Sequence, residues 1–307
     1  MGKASRTKVD ATRREKIAAQ RAAERRAEQR RRILIASGSI VVVIAVVVAF
    51  IVIKANNKPA TSSSNGPTGP ALASVVSKVT NVPASTLDKI GDGGGAFSGK
   101  IQSVNGGTPL TSGGKPEVLY MGAEYCPYCA AERWSMIVAL SRFGTFSGLS
   151  TVHSSTTDTP SNISTFTFHG SSYTSKYLTF TPVEMQTNVL DPTTNNYPVL
   201  EKPTSAQQAL LTKYDAPPYV SSAADAGAIP FIYFGGKNVS IGASYDATVL
   251  SGKSWSQIAS ALSDPNSAIA KAIGGTANYL TAAICKMTGN QPASACTSTV
   301  QSLEKGL

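Results

Sequence analysis

Cys126 and Cys129 stand two residues apart in the run Val118-Leu119-Tyr120-Met121-Gly122-Ala123-Glu124-Tyr125-Cys126-Pro127-Tyr128-Cys129, where a short apolar strand runs into the start of an apolar helix. Two thiols at that spacing can close a small disulfide ring and open it again. A helix N-terminus offers free backbone N–H groups and the positive end of the dipole, and both favour a thiolate over a thiol. Thiols placed this way have pKa values lowered to roughly 3.5–7.5. Pro127 at the first helical position loses no hydrogen bond, because that N–H would be unpaired anyway. Cys126 is therefore expected to be the exposed nucleophile, and Cys129, one turn deeper, the thiol that resolves a mixed disulfide. Two other readings compete: a purely structural disulfide, and half of a zinc site. A zinc site would need a second C-x-x-C or nearby histidines. The remaining cysteines are Cys285 and Cys296, and His153 and His169 stand alone. No metal and no other cofactor is expected.

Cys285 and Cys296 flank the ten residues KMTGNQPASA. A disulfide closing so short a loop is most simply structural, contributing on the order of 2–3 kcal/mol. The alternative is a second redox pair that passes electrons to the first. Tyr125 and Tyr128 flank the reactive thiols and offer an apolar contact surface for unfolded chains, or are incidental surface tyrosines.

The elements that position these residues alternate in type. Residues 71–90 read as two helical pieces parted at Pro83 and ended by the GDGGG run. Strands are expected at 100–104 and 118–121, the latter apolar enough for a buried central position. A helix follows over 127–143, with two apolar rows and with Glu132 and Arg133 left to face water. Residues 149–153 read as a second buried strand. Between 156 and 203 the composition turns to Thr, Ser, Tyr, Asn and Pro, with strand candidates at 165–168 and 177–186. Residues 205–214 form a helix. A strand then opens at Pro230 and returns through the hairpin turn Gly235-Gly236-Lys237-Asn238. The remainder to about residue 287 is helical, with breaks at Pro265 and Gly274-Gly275.

The chain has 307 residues and a formal net charge of +10. Residues 1–32 carry 12 Lys/Arg against 4 Asp/Glu, so nearly all of that charge belongs to a basic tail. Basic residues occur all round this tail with no aromatics interleaved, and no nucleic acid is expected as a partner. Residues 33–53 contain 21 residues and no charge. As a helix they span about 31 Å, enough for a hydrocarbon core. The positive N-terminal flank predicts a cytoplasmic N-terminus and an extracytoplasmic main domain, anchored in the cell membrane by one pass. A cleaved signal peptide competes, against the long lead and the lack of a clear cleavage site. Residues 54–70 read as a flexible Ser/Pro/Gly/Asn linker. Residues 71–307 form the outer domain, which holds all four cysteines, as suits an oxidising compartment.

The element order of residues 109–262 resembles the thioredoxin fold, an α/β architecture. Three features carry the resemblance jointly. C-P-Y-C follows a buried strand and opens a helix. Ile229-Pro230 opens a later strand, where thioredoxin-like proteins have a cis proline facing the dithiol. Phe234-Gly235-Gly236 to Gly242 matches their closing hairpin. More narrowly, residues 166–184 and the C-terminal NYLTAAICKMTG…C are similar to an uncharacterised family of membrane-anchored bacterial and archaeal thioredoxin-like proteins, a domain of unknown function. The resemblance implies a thioredoxin-like fold with an insertion at 156–203, between the dithiol helix and the cis-proline strand. Extra N- and C-terminal helices and a preceding transmembrane helix complete it. It also implies that Ile229 and Pro230 bind an extended substrate strand against Cys126, and that the activity is thiol–disulfide exchange on secreted or surface protein thiols. A redox-inert binding or chaperone module on the same fold is the alternative. A membrane-borne thiol oxidase or reductant transporter is the electron partner by analogy. Thioredoxins commonly carry a buried acid six residues before the first cysteine. Tyr120 stands there in this chain, leaving Glu124 and Glu184 as candidates to relay the Cys129 proton.

Overall fold

The computed structural model describes residues 62–307. The tail at 1–32, the apolar span at 33–53 and the linker up to residue 61 lie outside them. Among the described residues no helix is long and apolar enough to cross a membrane. The chain opens with helices α1 (Gly69–Thr80) and α2 (Ala84–Ile90), then strands β1 (Ile101–Ser103), β2 (Thr111–Ser112) and β3 (Lys115–Gly122). Helix α3 (Pro127–Ser141) follows, then β4 (Gly144–Ser147), β5 (Ser150–His153), β6 (Ser164–Thr167), β7 (Ser172–Ser175) and β8 (Thr179–Glu184). The last part comprises α4 (Ser205–Tyr214), β9 (Phe231–Phe234), β10 (Asn238–Ile241), α5 (Trp255–Ala261), α6 (Ala268–Thr288) and α7 (Ser298–Glu304). The architecture is mixed α/β.

The main sheet is also mixed. β3 lies between β9, antiparallel with Val118 opposite Phe234, and β8, parallel with Val118 opposite Phe180. β10 and β1 extend it antiparallel beyond β9, and β2 pairs with the start of β3. Alternate side chains of one strand serve two cores, as the pleat requires. Val118 and Tyr120 of β3 and Ile232 and Phe234 of β9 join the large core beneath α3 and α6. Leu119, Met121, Phe231 and Tyr233 join a smaller one with Leu210 and Tyr214 of α4. Burial on both faces explains why 118–121 and 231–234 are unbroken apolar runs.

Helix boundaries follow local chemistry. Cys126 caps α3 through its sulfur, and Pro127 takes the first position. Thr204 with Gln207 and Ser254 with Gln257 form capping boxes on α4 and α5. Gly289, in the left-handed region at φ 63°, ends α6.

Four sequence expectations are corrected. First, residues 156–203 are not simply an insertion, because β8 lies within them as the parallel neighbour of β3. Residues 149–153, expected as a second buried strand, do give β5, which pairs with β6 in a separate two-stranded sheet, as β4 does with β7. Phe180 and Val183 give β8 an apolar residue for each core, which β5 lacks. Second, α6 runs unbroken through Gly274 and Gly275. A Cβ at 274 would sit 2.7 Å from Ile90 Cδ1, and one at 275 would sit 2.7 Å from Gly93 Cα. The glycines let α2 and its GDGGG turn pack against the helix. Third, Glu132 and Arg133 are buried, at 1 % and 0 % exposure. Fourth, the described end of the linker is fastened to the domain. Asn188 binds both the N–H and the C=O of Ser63 at 2.9 and 2.7 Å. α1 then begins at Gly69.

Candidate active site

The turn after β3 delivers Cys126 to the N-cap of α3. Its Sγ accepts the Cys129 N–H at 3.3 Å and, as a thiol, donates towards Ile229 O at 3.8 Å. Contrary to the expectation of an exposed nucleophile, Cys126 is buried at 4 % exposure beneath the Ile229 carbonyl; Cys129 is fully buried, and both are free thiols. The Cys129 thiol, donating to Cys126, is the largest influence drawing the Cys126 pKa below that of an ordinary thiol. Burial opposes it, and the Cys129 N–H and Arg133 assist it. Burial pushes the Cys129 pKa well up, and the negative charge on Cys126 pushes it further. The two shifts run in opposite directions, so Cys126 is the thiol that ionises first and Cys129 the one that keeps its proton.

The Ile229–Pro230 peptide is cis, and Pro230 O accepts Gly242 N–H at 2.8 Å, which ties the strand to its hairpin. The Ile229 carbonyl faces Cys126, as the 3.8 Å contact shows. Tyr128 is 43 % exposed beside the thiols. Tyr125 stacks on Tyr197 with ring centroids 4.2 Å apart, and the Tyr125 carbonyl accepts Ser155 N–H. The expected residues Cys126, Cys129, Ile229, Pro230, Tyr125 and Tyr128 therefore converge. Among the described residues no group of three His, Cys, Asp or Glu side chains is placed to hold a metal.

Cys285 and Cys296 form a disulfide, Cα to Cα 5.8 Å. Arg142, just past the C-terminal end of α3, donates to Ala295 O at 2.7 Å. That end of a 15-residue helix lies about 20 Å along its axis from Cys126. Direct exchange between the two pairs would need sulfur-to-sulfur contact, which that separation does not allow. His169 Nδ1 lies 2.6 Å from Glu201 Oε1, and His153 packs edge-on against Trp255, neither at the thiols.

An ion pair inside the site escaped the sequence reading. Arg133, one turn beyond Cys129, binds Glu184 at the end of β8 through Nε–Oε1 at 2.7 Å and Nη2–Oε2 at 2.6 Å. Its Nη2 also donates to Ala123 O at 2.7 Å. Burial is the largest influence and works against the guanidinium charge, but Glu184, Tyr120 and Cys129 together raise the Arg133 pKa. Two further acids are buried nearby in sequence. Burial raises the pKa of Glu124, whose carboxylate accepts the Ser62 hydroxyl. Burial also raises that of Glu132, to about 7. A signal was present for the charges on α3. Glu132 and Arg133 are the only charges in that helix, and a helix otherwise apolar or small all round is buried all round.

Residues 103–286, more than half of the chain, match the family described as a domain of unknown function (DUF929). The chain belongs to that family. No curated protein and no solved structure matches it.

Proposed function

We propose that this protein is a membrane-anchored, extracytoplasmic thiol–disulfide oxidoreductase with a thioredoxin-like fold, acting on protein thiols through Cys126 and Cys129. One observation carries the reading: two free thiols share one helix N-terminus, where the outer accepts the N–H of the inner and has its pKa lowered while burial raises that of the inner. A structural staple has no use for that division. The order of strand, dithiol helix, parallel strand, cis-proline strand and hairpin supports the thioredoxin-like assignment. The uncharged stretch at 33–53 behind a basic tail supports the anchor.

In the oxidised protein, a substrate thiolate attacks Cys126 Sγ, forms a mixed disulfide and releases Cys129 as a thiolate, which takes up a proton. A second substrate thiolate then attacks the substrate sulfur, leaving a substrate disulfide and a reduced dithiol. In the reverse direction, the Cys126 thiolate attacks one sulfur of a substrate disulfide, forming the mixed disulfide and expelling the first substrate thiolate, which takes up a proton. Cys129 then loses its proton and attacks Cys126 Sγ, and the departing substrate thiolate ends as a thiol. Two electrons pass between the pairs in either direction. The Ile229 carbonyl and the Tyr128 ring lie where an extended substrate strand would meet Cys126.

The test is alkylation and trapping on the full chain. In the reduced protein, Cys126 should be carboxamidomethylated at mildly acidic pH while Cys129 stays unmodified, read by peptide mass spectrometry. A Cys129→Ser variant should accumulate mixed disulfides that Cys126→Ser does not. Slow alkylation of both cysteines and no trapped species would leave a redox-inert module instead.

A further inference from the structure

On the buried side of the dithiol, two hydrogen-bond donors have nothing to bind. The Tyr120 hydroxyl and Arg133 Nη1 are without partners, and both side chains are fully buried. Gly122 makes the room for the hydroxyl, since a Cβ there would come within 2.2 Å of it. Glu184 fixes the guanidinium through Nε and Nη2 and leaves Nη1 over. Tyr120 and Arg133 act electrostatically on each other, and Cys129 feels Arg133 and acts on Tyr120. A native interior rarely leaves two donors idle in one place.

Resting on the oxidoreductase reading, we propose that Tyr120 and Arg133, the latter held by Glu184, form a buried receptor for the thiolate that Cys129 bears while Cys126 is tied up in a mixed disulfide. In that state Cys126 no longer offers its negative sulfur, and Cys129 must ionise to attack. It expels the substrate thiolate from the Cys126 disulfide. One S–S bond forms as one breaks, and the proton lost from Cys129 ends on the departing substrate thiol. Tyr120 is a donor here and not the base, because burial holds its phenol well above the ordinary range. Glu184 is no base either, as both its oxygens are engaged by Arg133 and one also by Phe168 N–H. Tyr120 and Arg133 are positioning residues that act through the Cys129 sulfur.

The experiment loads Cys126 of the full chain with 2-nitro-5-thiobenzoate and follows its release by absorbance across pH. Release in the wild type should depend on Cys129. Tyr120→Phe should be at least as stable as the wild type, having no bonded hydroxyl to lose. It should nevertheless release the thiol more slowly, with the midpoint of its pH profile moved upward. Each unit of that movement costs tenfold in thiolate, offset about threefold by higher nucleophilicity, so the net slowing is about threefold. The double variant Arg133→Met/Glu184→Met, which removes the charges together, should move the profile the same way. Unchanged rates and profiles in both variants overturn the receptor while leaving the oxidoreductase standing. A Tyr120→Phe variant that loses stability overturns it too, because the hydroxyl then has a structural partner. Absence of Cys129-dependent release in the wild type overturns the oxidoreductase reading itself, and the receptor with it.

Discussion

Glu132 gives the dithiol helix a pH-dependent stability that can be measured without any substrate. Both its carboxyl oxygens are buried without a hydrogen bond of good geometry, and burial, only partly offset by the Ser244 hydroxyl beside it, raises its pKa from 4.5 to about 7. A carboxyl whose folded pKa lies above its unfolded value binds a proton in the native state that the unfolded chain has released. Stability therefore falls as pH rises from about 4.5 to about 7 and is level above. The displacement of some 2.5 units is worth about 3 kcal/mol at 1.36 kcal/mol per unit. Replacing Glu132 by Gln keeps the shape and removes the ionisation. Urea denaturation of the reduced full chain should show E132Q gaining about 3 kcal/mol on the wild type between pH ~4.5 and pH ~8. The constant cost of the amide cancels in that comparison, as do all other titrating groups common to both proteins. A difference between the two proteins that stays the same across this range would mean that Glu132 ionises alike folded and unfolded. The argument from its burial would then fail.

Arg133→Met alone should cost about 3–5 kcal/mol, because it strands the Glu184 carboxylate in the interior, and Arg133→Met/Glu184→Met should recover most of the loss in the same denaturation assay. A double variant as unstable as the single would mean that packing rather than charge pairing sets the cost. Cys285→Ser/Cys296→Ser should lower stability by roughly 2.5–3 kcal/mol for a loop of this length, with no change in the pH profile of Cys126 alkylation. A changed profile would tie that disulfide to the dithiol. Gly275→Ala should destabilise by about 1–3 kcal/mol despite the higher helix propensity of alanine, since its methyl would collide with the Gly93 backbone. Neutral or improved thermal stability would place the α2 turn further from α6 than it stands.

The dithiol turn, the proline strand and its hairpin were legible in the sequence because each is a local pattern: an apolar run, a punctuating Pro or Gly, a fixed spacing. What was not legible required knowing which segments meet. Residues 149–153 are a buried strand as expected, but the parallel neighbour of β3 is β8, which comes from inside a Thr- and Pro-rich region. Strand identity in a mixed sheet depends on offering an apolar residue to each face, which neighbouring composition hides. Gly274-Gly275 reads as a break by propensity alone, yet close approach of the α2 turn overrides propensity there. The errors in reading charge are more pointed. Glu132 and Arg133 were assigned to water because charged residues are seldom fully buried without a partner, and Arg133's partner lies 51 residues away. Both misread charges stand on the one helix that carries the thiols. A buried ion pair contributes little to stability against an apolar substitute of the same volume. Its place one turn beyond Cys129 is what the proposed receptor for a Cys129 thiolate requires, since a charge that comes and goes there would be met by a guanidinium already held in place.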